Sequence, residues 1–251
     1  MSKGADAPPA AVSQTAGILE RTVRAFSVAE AATTSLADFL VSKSEACCRA
    51  VREAEEELDR LDREIDSSVT ATIGEVTPAQ ARELLSSLKM LIDLERIGDL
   101  LASVAGCAQA LGNRLATTDL NDLVKMTTIV EKMLADTHDA YVIGNVDRAL
   151  TVLRADAEVD RIRNLAMIRH LETASNHGPQ DSVQVLFMAQ ALERAGDHVK
   201  NLAEEICNLA TGLSVRHMLR SKDKPQEQMY LEYLRFRHGV KDAPPAQSHT
   251  E

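Results

Sequence analysis

The feature that most constrains this chain is a sentence written twice. "LERIGDLLAS" occupies residues 94–103 and "LERAGDHVKN" residues 192–201, so Glu95, Arg96, Gly98 and Asp99 return as Glu193, Arg194, Gly196 and Asp197 at an offset of 98. Upstream of each copy lies a second shared motif. Glu55, Leu58, Asp59 and Leu61 of "EEELDRLDREI" match Asp156, Val159, Asp160 and Ile162 of "DAEVDRIRNLA" at an offset of 101. Two motifs recurring in the same order at nearly constant spacing indicate one folding unit duplicated in tandem, each copy of ordinary domain size.

The periodicity between these motifs is helical. The 251 residues include no Trp, seven Pro and eleven Gly, and those breakers fall mostly outside the long periodic stretches, as in an all-α protein. Helices are expected over residues 14–43, 45–73, 78–115, 119–144, 147–175 and 180–212. Thr77 before Pro78 reads as an N-cap with proline at the first helical position. The expected organisation is a flexible N-terminal tail (1–13), a first three-helix repeat (14–115), a second (116–217) and a C-terminal extension and tail (218–251).

A net charge of −10 argues against a nucleic-acid binder, which needs clustered Lys and Arg, and favours cations and basic protein surfaces. No apolar run approaches the length that crosses a bilayer, and the N-terminus lacks the apolar core of a signal peptide. A cytoplasmic protein without membrane insertion is expected. Cys47, Cys48, Cys107 and Cys207 show no zinc spacing and read as small buried residues.

The repeated acids are the candidate chemistry. Leu88, Ile92, Glu95, Asp99, Ala102 and Gly106 fall on one helical stripe, so the acids should interrupt an apolar seam. Glu55 and Asp59 sit one residue beyond the seam Val51, Ala54, Leu58, Leu61, Ile65, and Asp156 and Asp160 lie likewise beside Ala155, Val159 and Ile162. Packing of neighbouring helices would bring Glu55/Asp59 towards Glu95/Asp99, and Asp156/Asp160 towards Glu193/Asp197. With 38 acidic residues, a single i,i+4 pair such as Glu53/Glu57 is usually a solvated face. Four pairs at equivalent places are another matter, because carboxylates about 5 Å apart repel by roughly 3 kcal/mol at an effective dielectric of about 20. A bound cation or a proton would relieve this. Gly98 and Gly196, each costing about 1 kcal/mol inside a helix, suggest a neighbouring backbone or ligand at close range. Oxygen ligands suit magnesium, calcium, manganese and iron more than zinc. Asn201 and Glu204 extend the second set along its helix, whereas Ser103, Gly106 and Cys107 follow the first, so the second site is expected to hold metal more strongly.

"DLERIGDLLASV" and "ALERAGDHVKNLAEEI", each preceded by its "(D/E)xx(V/L)Dx(L/I)" partner, resemble the PhoU family of phosphate-uptake regulators over about residues 14–217. The resemblance implies two three-helix bundles whose (E/D)xxxD pairs hold iron, zinc, manganese or magnesium. It also implies a homodimeric cytosolic adaptor, not an enzyme, that links a phosphate ABC transporter to a sensor histidine kinase and restrains phosphate-starvation signalling. Rival readings are weaker. A di-iron enzyme would carry Glu-x-x-His motifs, and none of the seven histidines has Glu three residues before it. A metal phosphatase is harder to set aside, though no activated nucleophile or Gly-rich phosphate loop accompanies the acids. A purely structural scaffold with solvated acids is the third.

Beyond His217, Met229, Tyr230, Leu231, Tyr233, Leu234 and Phe236 concentrate apolar surface in a chain with 3% aromatics. A short helix covering the bundle or a second subunit is expected there. Deleting residues 222–251 should lower the melting temperature or change the sedimentation coefficient; a truncated chain unchanged in both would instead mark the segment as a partner motif.

Overall fold

Breaks fall where backbone chemistry requires them. In a computed structural model, which describes residues 9–172 and 179–211 and side chains over 13–153, 157–172 and 180–210, six α-helices follow one another. They are α1 (Pro9–Ser42), α2 (Glu45–Thr72), α3 (Pro78–Leu111), α4 (Thr117–Ile143), α5 (Val146–Glu172) and α6 (Pro179–Thr211), with no strand among the described residues. Thr77 caps α3 reciprocally: its hydroxyl accepts the Gln80 N–H, and the Gln80 carboxamide accepts the Thr77 N–H at 3.1 Å. Gly144 ends α4 in the left-handed region at φ 70°, where a side chain would be strained.

The first helix starts earlier than expected. Residues 9–13, assigned above to a tail, belong to α1, because Pro9 needs no N–H in a first turn and the alanines after it favour helix. The C-terminal extension and the end of the second repeat lie outside the described residues.

α2 packs on α1 and α3, and α5 on α4 and α6, so each repeat is a three-helix unit. The two units are joined along two seams, α1 against α4 and α3 against α6, and one continuous core runs through both. At the first seam the fully buried Phe26 ring stacks on His138 (5.3 Å between centroids) and Tyr141 (5.5 Å). Glu30 also meets the His138 ring at 3.1 Å. The second seam is polar at one end: Asp93 Oδ1 meets His198 Nδ1 at 2.7 Å and accepts from Asn201 at 3.2 Å, while Glu205 accepts from Ser86 at 2.7 Å. Inside the second unit the buried Asp119 of α4 pairs with Arg169 (2.6 Å) and His170 (3.1 Å) of α5, and His170 reaches Ser182 of α6 (3.1 Å). That chain of polar contacts clamps three helices at one end.

The apolar seam expected on α3 is displaced. Ile92 is 51% exposed, whereas Leu84, Leu91, Leu94, Gly98 and Leu101 are buried. α3 faces α1, α2 and α6 at once, so its buried surface is wider than one stripe and the acids flank it. On α2 the seam Val51, Leu58, Leu61, Ile65 is buried as read, with Ala54 only partly so. Cys48 and Cys207 are buried, Cys47 and Cys107 partly so, none in a disulfide; burial pushes the Cys207 thiol up to about 12, which makes it inert.

Because Phe26 anchors the α1–α4 seam, Phe26→Ala should cost about 3–5 kcal/mol in urea unfolding through the cavity it leaves. A loss below about 1 kcal/mol would mean that the seam re-packs without it.

Candidate functional site

Gly98 lies where α3 meets the acidic segment of α2. A Cβ built on it would stand 2.7 Å from Leu58 Cδ1 and 3.6 Å from the Cα of Glu55, so the fully buried Leu58 fills the space that a side chain at 98 would take. The close backbone at this point is that of the acidic segment itself. Consequently Glu55 and Asp59 of α2 share one flank with Glu95 and Asp99 of α3, and Asp62 joins them from the next turn of α2.

Electrostatics report the crowding. Burial raises the Glu55 carboxyl above its ordinary value, and the charges of Asp99, Asp59 and Glu56 raise it further. Glu95 is raised first by burial, then by Asp99, with Arg96 opposing and Asp62 and Asp59 adding to the rise. Asp62 is raised by burial, then by Asp66 and Asp59. The compensating arginines lie at the rim: Arg63, 65% exposed, on Asp59, and Arg96, 55% exposed, on Asp99 at 3.1 Å and Glu95 at 3.4 Å. Such exposed pairs are worth about 1 kcal/mol or less each, so negative charge dominates the flank.

The second repeat repeats the backbone plan with different side chains. Gly196 is buried, and Glu193 lies towards Asp160 and Asp197. Burial raises the Glu193 carboxyl, but Arg163 of α5 opposes it and stands 3.3 Å away. Sequence reading missed Arg163, although the same offset of 101 places it in register with Asp62. Lys200 lies 3.9 Å from Asp197. The Asp156 side chain lies outside the described residues.

Asn201 and Glu204 do not extend this second set. Asn201 donates to Asp93 of α3, and the buried Glu204 lines a groove between α3 and α6 with Lys89, Asp93 and Glu205. Both therefore face the seam between repeats, a placement that helical spacing alone does not reveal. Cys107 lines another stretch of the α3–α6 seam, with Phe187 and Ala191, away from the acids.

As the side chains stand, no three His, Cys, Asp or Glu groups among the described residues converge to hold a metal. In the first repeat the donor set fits a hard cation in kind: all oxygen, crowded, and paired only at its exposed rim. In the second, a guanidinium already stands among the oxygens.

The comparisons agree with this architecture. A family model described as PhoU domain matches residues 22–108 and 123–206, one match in each repeat. The chain belongs to the PhoU family. The phosphate-specific transport system accessory protein PhoU homolog 1 of Thermotoga maritima is 30% identical over 195 residues, covering 75% of this chain and 83% of the relative. The PhoU homolog of Pseudomonas aeruginosa is 31% identical over 185 residues, 71% of this chain and 76% of the relative. The fold matches the crystal structures of PhoU from P. aeruginosa (TM-score 0.73, 24% identity, 80% of this chain and 99% of that one) and of the phosphate transport system regulatory protein PhoU from Streptococcus pneumoniae (TM-score 0.73, 20% identity, 82% and 99%).

Raised carboxyls have a signed consequence. At pH 8 Glu95 is ionised against its neighbours and weakens the fold. As pH falls through its raised folded value towards the ordinary 4.5, the folded state takes the proton first and the penalty disappears. Glu95→Gln should therefore raise the unfolding free energy from urea titration at pH 8, by less than about 1 kcal/mol, and the gain should vanish near pH 4.5. A destabilised variant at pH 8 would show that Arg96 outweighs the acids.

Proposed function

We propose that this chain is an accessory and regulatory protein of phosphate-specific transport, working by protein docking and cation binding rather than catalysis. The observation that carries this reading is family membership across both repeats, together with relatives named for that system. The partners proposed are a phosphate ABC transporter and a sensor histidine kinase, met by a homodimer on the cytoplasmic side of the membrane. No helix among the described residues is long and apolar enough to cross a membrane, and the charge of −10 suits basic docking surfaces.

Within this reading, Glu55, Asp59, Glu95 and Asp99 hold a hard cation such as magnesium, manganese or iron. Bound there, it would replace Arg63 and Arg96 as the counter-charge of the four carboxylates. The charge it neutralises lies where α2 meets α3, so occupancy couples to how tightly those helices pack.

A catalytic reading finds less support. Asp119, His170 and Ser182 have the connectivity of a nucleophile relay, yet Asp119 is held by Arg169 and both Asp119 and His170 are buried, which suits a structural clamp.

Cells deleted for this chain should take up phosphate and express starvation genes in phosphate-rich medium, and the wild-type chain should restore restraint. Unchanged uptake and expression on deletion would refute the regulatory role. Metal analysis of untagged protein purified without chelator should find metal that Glu95→Ala/Asp99→Ala loses; metal-free wild type would remove the cation from the account.

A further inference from the structure

We infer that cation binding is confined to the first repeat, because the second carries its own counter-ion in Arg163. The inference rests on the cation reading of the first repeat and alters the second.

Both carboxylate oxygens of Glu193 are already engaged from within the protein. Oε1 pairs with Arg163 Nη2 at 3.3 Å, and Oε2 accepts a hydrogen bond from the Gln190 carboxamide. The pair is sheltered, with Arg163 27% and Glu193 12% exposed. Arg163 Nε is buried and has no hydrogen-bond acceptor among the described atoms, so the face keeps a spare donor rather than a spare acceptor. A metal entering here would meet a fixed positive charge and would have to displace a donor from whichever Glu193 oxygen it took.

The first repeat lacks both donors. At the offsets that relate the repeats, Arg163 corresponds to Asp62 and Gln190 to Ile92. One replacement reverses the charge and the other removes hydrogen bonding altogether. The arginines that do serve the first set, Arg63 and Arg96, reach it from exposed positions and can swing away. Duplication thus preserved the acids while the surrounding positions diverged: one face is left needing a cation, and the other is satisfied by a guanidinium. The ordering is opposite to that suggested by Asn201 and Glu204, which face α3 instead.

The test is a Mn²⁺ titration by equilibrium dialysis on the full chain, paired with thermal melts in EDTA. Glu95→Ala/Asp99→Ala and Asp62→Arg should lose bound Mn²⁺, Glu193→Ala/Asp197→Ala should keep it, and Arg163→Asp should roughly double it by opening a second oxygen set. In EDTA, Arg163→Ala should melt about 2–4 °C below wild type through loss of the internal counter-ion, and Arg163→Lys should recover part of that drop. Loss of Mn²⁺ from Glu193→Ala/Asp197→Ala, or no gain in Arg163→Asp, overturns the confinement while leaving the cation reading intact. Wild type that binds no Mn²⁺ overturns the cation reading itself. The EDTA melts then decide on Arg163 alone, and an unchanged midpoint in Arg163→Ala removes its counter-ion role.

Discussion

The approach of α2 to α3 at Gly98 is the contact on which the acidic face depends. With a side chain at 98 the tip of Leu58 would have to shift, while the Glu55 Cα already stands at van der Waals distance. With glycine there, carboxylates from two helices share a half-buried flank, and burial raises Glu55 and Glu95 before any neighbouring charge is counted. Close packing and charge repulsion are therefore two results of one contact. A cation there would relieve repulsion that the apolar packing imposes.

Around that contact the two repeats divide their work. Their outer helices, α2 and α5, carry one half of each acidic set, while α1, α3, α4 and α6 supply the seams that unite the core. Phe26 with His138 and Tyr141 closes one seam, and Asp93 with His198 and Asn201 ties the other. Residues on these seams join the repeats, and α3 carries both the acidic flank and the contact with α6.

Much of this was legible in the sequence. The repeated Glu, Gly and Asp positions place the acids on neighbouring helices, and Thr77–Pro78 marks the start of α3, because spacing and capping are local properties. What could not be read was which way α3 turns. A helix packed on three neighbours has no single apolar stripe, so Ile92 looked like seam and is exposed, and Asn201 and Glu204 looked like ligands and face α3. Arg163 was visible in register with Asp62 all along. The acids repeat while position 163 differs in sign from Asp62, and the 3.3 Å pairing with Glu193 shows why that difference matters.

The central proposal is that the acids at the α2–α3 contact hold a cation. Its most direct test is an amide NMR spectrum recorded with substoichiometric Mn²⁺, whose unpaired electrons broaden nearby resonances. The account predicts that amides around Glu55, Asp59, Glu95 and Asp99 broaden first while those around Asp160, Glu193 and Asp197 remain sharp. Equal broadening at both sets, or broadening first at the second, would contradict it.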